Sequence, residues 1–192
     1  MSHPPMPFKV AFIGTHGVGK TTLAYGLAAR LKRRDINLDV VVEVARRCPL
    51  PLNEGTTLEA QSWILHSQIA DELAAEARSP VVICDRSVLD NYIYLLFARG
   101  RQPALEALIE SWCTTYDLKV YVPILRGSEA QPDGVRAVDP AFRQQIDDRL
   151  WNELEDRRIG VLVLDAEHRE SWLDVVEEAV ANQLRIPQLD LL

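Results

Sequence analysis

Cysteine is scarce in this chain, and no cysteine has a nearby partner. Cys48, Cys84 and Cys113 stand far apart among 192 residues, without a C-x-x-C pair. That spacing indicates no disulfide framework and argues against a structural zinc module. His3, His66 and His168 fall in no metal-ligand pattern either. No apolar run approaches the length of a membrane-spanning helix. Residues 1–7 are Pro-rich without the apolar stretch of a signal peptide, so a loose tail is expected there. Basic residues are outnumbered, 21 Lys and Arg against 28 Asp and Glu, for a net charge of −7. A surface of that sign has no bulk attraction for nucleic acid or acidic lipid. Internal repeats and long linkers are also missing. A single domain over residues 8–192, in a reduced, cytoplasmic protein, is the expectation.

What the chain does have is apolar content, 47% of its residues, enough for one full core. It also has one dense motif. An apolar run from Val10 to Ile13 is followed by Gly14, Gly17 and Gly19, then by Lys20 and Thr21. Leu23, Leu27 and Leu31 follow at helical spacing. Gly14 to Thr21 satisfies G-x-x-x-x-G-K-[ST] in its required context, strand before and helix after. Glycines let successive backbone N–H groups point at one anion, and the helix N-terminus adds its positive end. The predicted nucleotide cradle is therefore Gly14, Thr15, His16, Gly17, Val18, Gly19, Lys20, Thr21 and Thr22. In such a loop the lysine reaches the outer phosphates and the Thr21 hydroxyl takes a place on Mg²⁺.

Strand and helix signals then alternate, which predicts an α/β fold with a parallel sheet. Residues 38–44 are a second β-branched run, ending near Glu43. Thr57 precedes a helical pattern over about 58–78. Residues 81–84 are an unbroken apolar strand, expected to be buried on both faces. Helices are predicted at about 88–99 and 103–116, a strand at 118–122, a helix at 140–157, a strand at 161–164 and a last helix at 170–185. Between them, residues 126–143 hold Gly127, Pro132, Asp133 and Gly134 among arginines, and form a candidate lid.

Ligands of open parallel sheets sit at the carboxyl ends of the strands. Glu43 and Asp85-Arg86 fall at such ends. Asp85 is a candidate partner for Mg²⁺, with helix capping as its alternative role. Arg86 matches phosphate oxygens bidentately. Glu43 is suited to take the proton of an acceptor hydroxyl or to hold a ribose. Arg46 beside it, with Gln61 and Gln68 on the long helix, are candidate substrate contacts. Arg136, with Arg126 and Arg143, would spread charge over a triphosphate from the lid. No cluster of aromatics along the chain marks an acceptor pocket.

Together, residues 14–22, Glu43-Val-Ala-Arg46, Gln68, Val-Ile-Cys-Asp-Arg-Ser at 82–87 and Asp133-Gly-Val-Arg136 resemble the P-loop nucleoside and nucleotide kinases. Within them the chain is most similar to the ribosylnicotinamide-kinase-like AAA ATPases. The resemblance implies a three-layer P-loop NTPase fold, its five parallel strands in order 2-3-1-4-5, with a lid. It implies ATP and Mg²⁺ as cofactors and phosphoryl transfer to a small nucleoside-like acceptor, through Lys20, Glu43, Asp85, Arg86 and Arg136. A homodimer is compatible with it. The rival reading is a nucleotide-dependent switch or regulatory module without a small-molecule acceptor. The guanine-reading Asn-Lys-x-Asp element of typical GTPases is not present.

Overall fold

Residues 7–52, 56–125 and 139–184 are described by a computed structural model. Five parallel strands form one sheet in the order β2-β3-β1-β4-β5. They are β1 (Phe8–Ile13), β2 (Asp39–Val41), β3 (Val81–Cys84), β4 (Leu118–Tyr121) and β5 (Leu162–Val163). Six α-helices connect or follow them: α1 (Lys20–Lys32), α2 (Leu58–Glu76), α3 (Val88–Arg99), α4 (Pro103–Cys113), α5 (Pro140–Asp156) and α6 (Trp172–Leu184).

The two-residue period of a strand divides the core. Val10 and Phe12 of β1, with Val81 and Ile83 of β3, pack on one side against α1 and α6. Ala11 and Ile13, with Val82 and Cys84, pack on the other against α2, α3, α4 and α5. β3 is therefore apolar throughout and buried on both faces, as expected. In register, Ala11 pairs with Cys84 and Ile13 with Tyr121. The carboxyl ends of β2, β3 and β1 thus lie side by side, and the loops that leave them share one rim.

Local chemistry sets the helix starts. The Thr57 hydroxyl accepts the Ala60 N–H at 3.2 Å and opens α2. Ser87 and Asp90 form a reciprocal capping box at the start of α3. Asp85 is therefore not the cap of that helix. The second strand is shorter than its β-branched run suggests. Pairing stops at Val41 opposite Cys84, where β3 itself ends, and Val42 is exposed. Glu43 belongs instead to the turn into a short 3₁₀ segment, Val44–Arg47. The proposed tail falls almost wholly, and residues 126–138 of the proposed lid wholly, outside the described residues.

One charged side chain interrupts the apolar face of β1. Lys9 is buried, and its Nζ donates to Glu72 Oε2 at 3.0 Å and Glu76 Oε1 at 2.5 Å on α2. It also lies 4.8 Å from the ring centroids of both Trp112 and Tyr116. Burial alone lowers a lysine's pKa; here the two glutamates overcome it and leave Lys9 raised. Glu72 additionally accepts Trp112 Nε1 and the Tyr116 hydroxyl, both at 2.7 Å, and Gln68 Nε2 at 2.9 Å.

Candidate active site

The loop between β1 and α1 is closed by contacts that only glycine allows. Gly14 has φ +143°, and a Cβ there would sit 2.6 Å from the Val122 carbonyl oxygen. Gly19, immediately before α1, has φ +103°. Val18 is tucked into the core and Thr22 is exposed on the first helical turn. The Gly14 N–H donates to Asp90 Oδ1 at 2.9 Å. Asp90 Oδ2 meanwhile accepts the Ser87 N–H and hydroxyl, so one carboxylate fastens the loop to the start of α3.

Lys20 curls back over the loop. Its Nζ donates to the Gly14 carbonyl at 2.8 Å and the Thr15 carbonyl at 2.5 Å. Burial, and then the like charge of Arg86, lower its ammonium to about 7. A buried ammonium held over this loop is placed to meet an anion there. The Thr21 hydroxyl donates to Asp85 Oδ2 at 2.5 Å. Mg²⁺ is characteristically held by one or two protein oxygens together with phosphates and water. This hydroxyl–carboxylate pair is a donor set of that kind. Among the described residues no group of three or more His, Cys, Asp or Glu forms an all-protein metal cage.

Arg86 follows Asp85 in a strained backbone, φ +132°. Its Nε donates to Glu43 Oε1 at 2.8 Å, both side chains being buried. Burial opposes its charge, but Glu43 outweighs that and raises its pKa, so the guanidinium stays ionised. Glu43 Oε2 accepts Arg46 Nε at 3.0 Å, and Arg46 is half-exposed. Glu43, Arg46 and Arg86 therefore form one cluster at the rim. Arg47 turns away to Asp71.

The two glutamines separate. Gln61 donates through Nε2 to the Thr56 hydroxyl at 2.8 Å and lines a cavity of about 430 Å³. Gln68 is wholly enclosed beneath the rim, its Nε2 donating to Glu72 and, at 3.3 Å, to the Arg86 carbonyl. It supports the strained residue from below. The cavity walls include Tyr94, Phe97 and Phe142, so an aromatic pocket does exist, contrary to the sequence expectation. Its rings come from α3 and α5, which lie far apart in the chain.

Tyr94 joins the parts. Its hydroxyl is 3.1 Å from His16 Nδ1 in the phosphate loop, and the Arg86 guanidinium lies 5.4 Å from its ring centroid. Two groups reach the loop from α5, the candidate lid arginine Arg143 and Asp147, which the sequence did not single out. Arg143 Nη2 donates to the Gly17 carbonyl at 3.4 Å. Asp147 accepts the Tyr121 hydroxyl at 2.7 Å, and burial raises its pKa. Arg143 is the one candidate lid arginine within the described residues; Arg126 and Arg136 lie outside them. Asp90 alone carried a legible signal, the Ser87-x-x-Asp90 capping pattern. No helix among the described residues is long and apolar enough to cross a membrane.

Known proteins resemble this chain in sequence or in fold. The chain is 27% identical to a thymidylate kinase of Psychrobacter sp. (strain PRwf-1), over 91% of this chain and 97% of the relative. A NadR protein solved with NAD and AMP-PNP superposes with a TM-score of 0.71 at 18% identity, over 97% of this chain and 52% of its own. The chain thus spans about half the length of that structure. A deoxyadenosine kinase from M. mycoides with bound dATP gives a TM-score of 0.61 at 16% identity, over 93% of this chain and 99% of its own. The strand order and phosphate loop are those of a P-loop nucleoside-kinase-like fold. Residues 9–171 match the AAA_28 family of AAA domains, and the chain belongs to that family.

Proposed function

We propose that the protein is an ATP-dependent kinase that moves the γ-phosphoryl group to a hydroxyl or phosphate of a nucleoside-like acceptor. The observation that carries this reading is the aromatic cavity beside the phosphate loop, joined to it by Tyr94. A pocket of about 430 Å³ with three aromatic walls suits a planar ring. A switch that only hydrolyses its nucleotide needs no such cavity. The acceptors named for the relatives, nucleosides and nucleotides, support the same reading.

In this reading the loop N–H groups and Lys20 bind the triphosphate and draw charge from the transferring group. Thr21 and Asp85 would hold Mg²⁺, which supplies further charge neutralisation. Glu43, braced by Arg86 and Arg46, orients the acceptor group at the rim. Arg86 and Arg143 face the region where negative charge develops, and Arg136 would join them from the lid. Positioning and electrostatics then account for most of the rate.

The test is incubation with γ-labelled ATP and a panel of nucleosides, nucleoside monophosphates and ribosylnicotinamide. Transfer to at least one acceptor is expected. ATP binding without transfer to any of them would overturn the reading in favour of the switch.

A further inference from the structure

The phosphate loop carries one large side chain that phosphate binding does not require. Its members are Gly14, Thr15, His16, Gly17, Val18 and Gly19, and Val18 is buried in the core. His16 is also buried, only 2% exposed, and points away from the core toward α3 and α5. Its Nδ1 lies 3.1 Å from the Tyr94 hydroxyl and 3.4 Å from the Thr15 hydroxyl. Its ring centroid is 6.4 Å from Tyr94 and 6.1 Å from Phe142. Phe142 in turn meets Phe97 edge-on at 5.1 Å.

These four rings form a continuous chain. One end is part of the loop whose backbone cradles phosphate. The other end is the wall of the cavity, since Tyr94, Phe97 and Phe142 all line it. A ring entering the cavity must press on the same Tyr94 whose hydroxyl meets His16. Conversely, a loop that tightens around a triphosphate moves His16, and with it Tyr94. Two sites that share one rigid contact are energetically coupled, and the coupling is reciprocal.

We infer that the His16–Tyr94 hydrogen bond couples the acceptor pocket to the phosphate loop, so that each ligand strengthens binding of the other. His16 is thereby a positioning residue acting through Tyr94. This rests on the kinase reading, because it takes the cavity as the acceptor site. The bond also gives the pocket a say in transfer: a ring that fills the cavity but leaves Tyr94 displaced binds without the bonus.

The inference is tested by binding, without turnover. Calorimetry measures the affinity of each nucleoside and nucleoside monophosphate, and of ribosylnicotinamide, with and without Mg²⁺ and AMP-PNP. In the unaltered protein the analogue is expected to tighten the best acceptor roughly tenfold, within the usual range for coupled sites. Tyr94→Phe keeps the ring and removes the hydroxyl; it should reduce that factor to about twofold, while AMP-PNP alone binds within about threefold of normal. His16→Leu should do the same to the coupling. His16→Asn, which keeps a polar atom near the Nδ1 position, should restore most of it. The double variant Tyr94→Phe/His16→Leu should be no worse than either single one, because both remove one bond. Melting temperatures establish that each variant is folded. Full coupling in Tyr94→Phe, or additive losses in the double variant, would overturn the inference and leave the kinase reading intact. If AMP-PNP binds normally but no nucleoside, nucleoside monophosphate or ribosylnicotinamide binds the unaltered protein at all, both fall.

Discussion

The two halves of the candidate site are built in opposite ways. The phosphate half is one stretch of backbone, Gly14 to Thr21, closed by Asp85 just after β3 and by Asp90 in the first turn of α3. The proposed acceptor half is an assembly of side chains: Glu43 after β2, Gln61 on α2, Tyr94 and Phe97 on α3, and Phe142 on α5. A triphosphate is the same anion wherever it binds, and a row of N–H groups recognises it. An acceptor ring has a particular shape, and only side chains can follow it.

If this division holds, changes in the two halves fail differently. Lys20→Ala has the largest expected effect. Loss of one preorganised charge beside the transferring group should lower kcat/KM by about 10³-fold, seen in steady-state assays with labelled ATP. Glu43→Gln comes next, and it acts through stability as well as chemistry. It leaves Arg86 buried without its carboxylate, and breaking such a pair costs about 3–5 kcal/mol. A thermal scan should show a clear drop in melting temperature. An unchanged one would mean that the pair is not closed in solution. Phe97→Ala lies wholly within the acceptor half. It should raise the acceptor KM by about tenfold while the ATP KM stays constant. Equal changes in both would break the division.

The smallest effect is on pH. The Lys20 ammonium stands at about 7 because of its burial, whereas an unfolded lysine titrates near 10.4. Between those values the unfolded chain binds a proton that the folded chain does not. Its contribution to stability therefore rises with pH over that window. A triphosphate in the loop favours the charged form, so nucleotide affinity should move the other way, falling several-fold from pH 7 to pH 8. Calorimetry in buffers of different ionisation enthalpy should register proton uptake on binding. Lys20→Met should abolish both trends.

The same division explains what was legible in the sequence. The α/β alternation, the phosphate loop and the strand ending at Asp85-Arg86 are contiguous signals, and each corresponds to an element of the fold. The second strand was read too long because Val42 and Val44 have the right side chains, yet β3 offers them no partner beyond Cys84. Gln61 and Gln68 looked equivalent on one helical face. One reaches the cavity and the other is sealed beneath Arg86, because the helix passes from the rim into the core. Tyr94, Phe97 and Phe142 gave no sign of a pocket. Their meeting depends on how α3 and α5 cross, which no local pattern encodes.

The buried Lys9–Glu72 pair bears on how such a chain can change over generations. Removing Lys9 alone strands the Glu72 charge in the core, at a cost of about 3–5 kcal/mol, whereas removing Glu72 leaves Lys9 on Glu76; replacing both Lys9 and Glu72 by apolar residues of like volume is often harmless. A descendant sequence that loses Lys9 first must therefore pass through a weakened intermediate. Glu72 also holds Trp112, Tyr116 and Gln68, so even the double replacement leaves three donors in need of new partners. The pair is entrenched by its neighbours, independently of any contribution to catalysis.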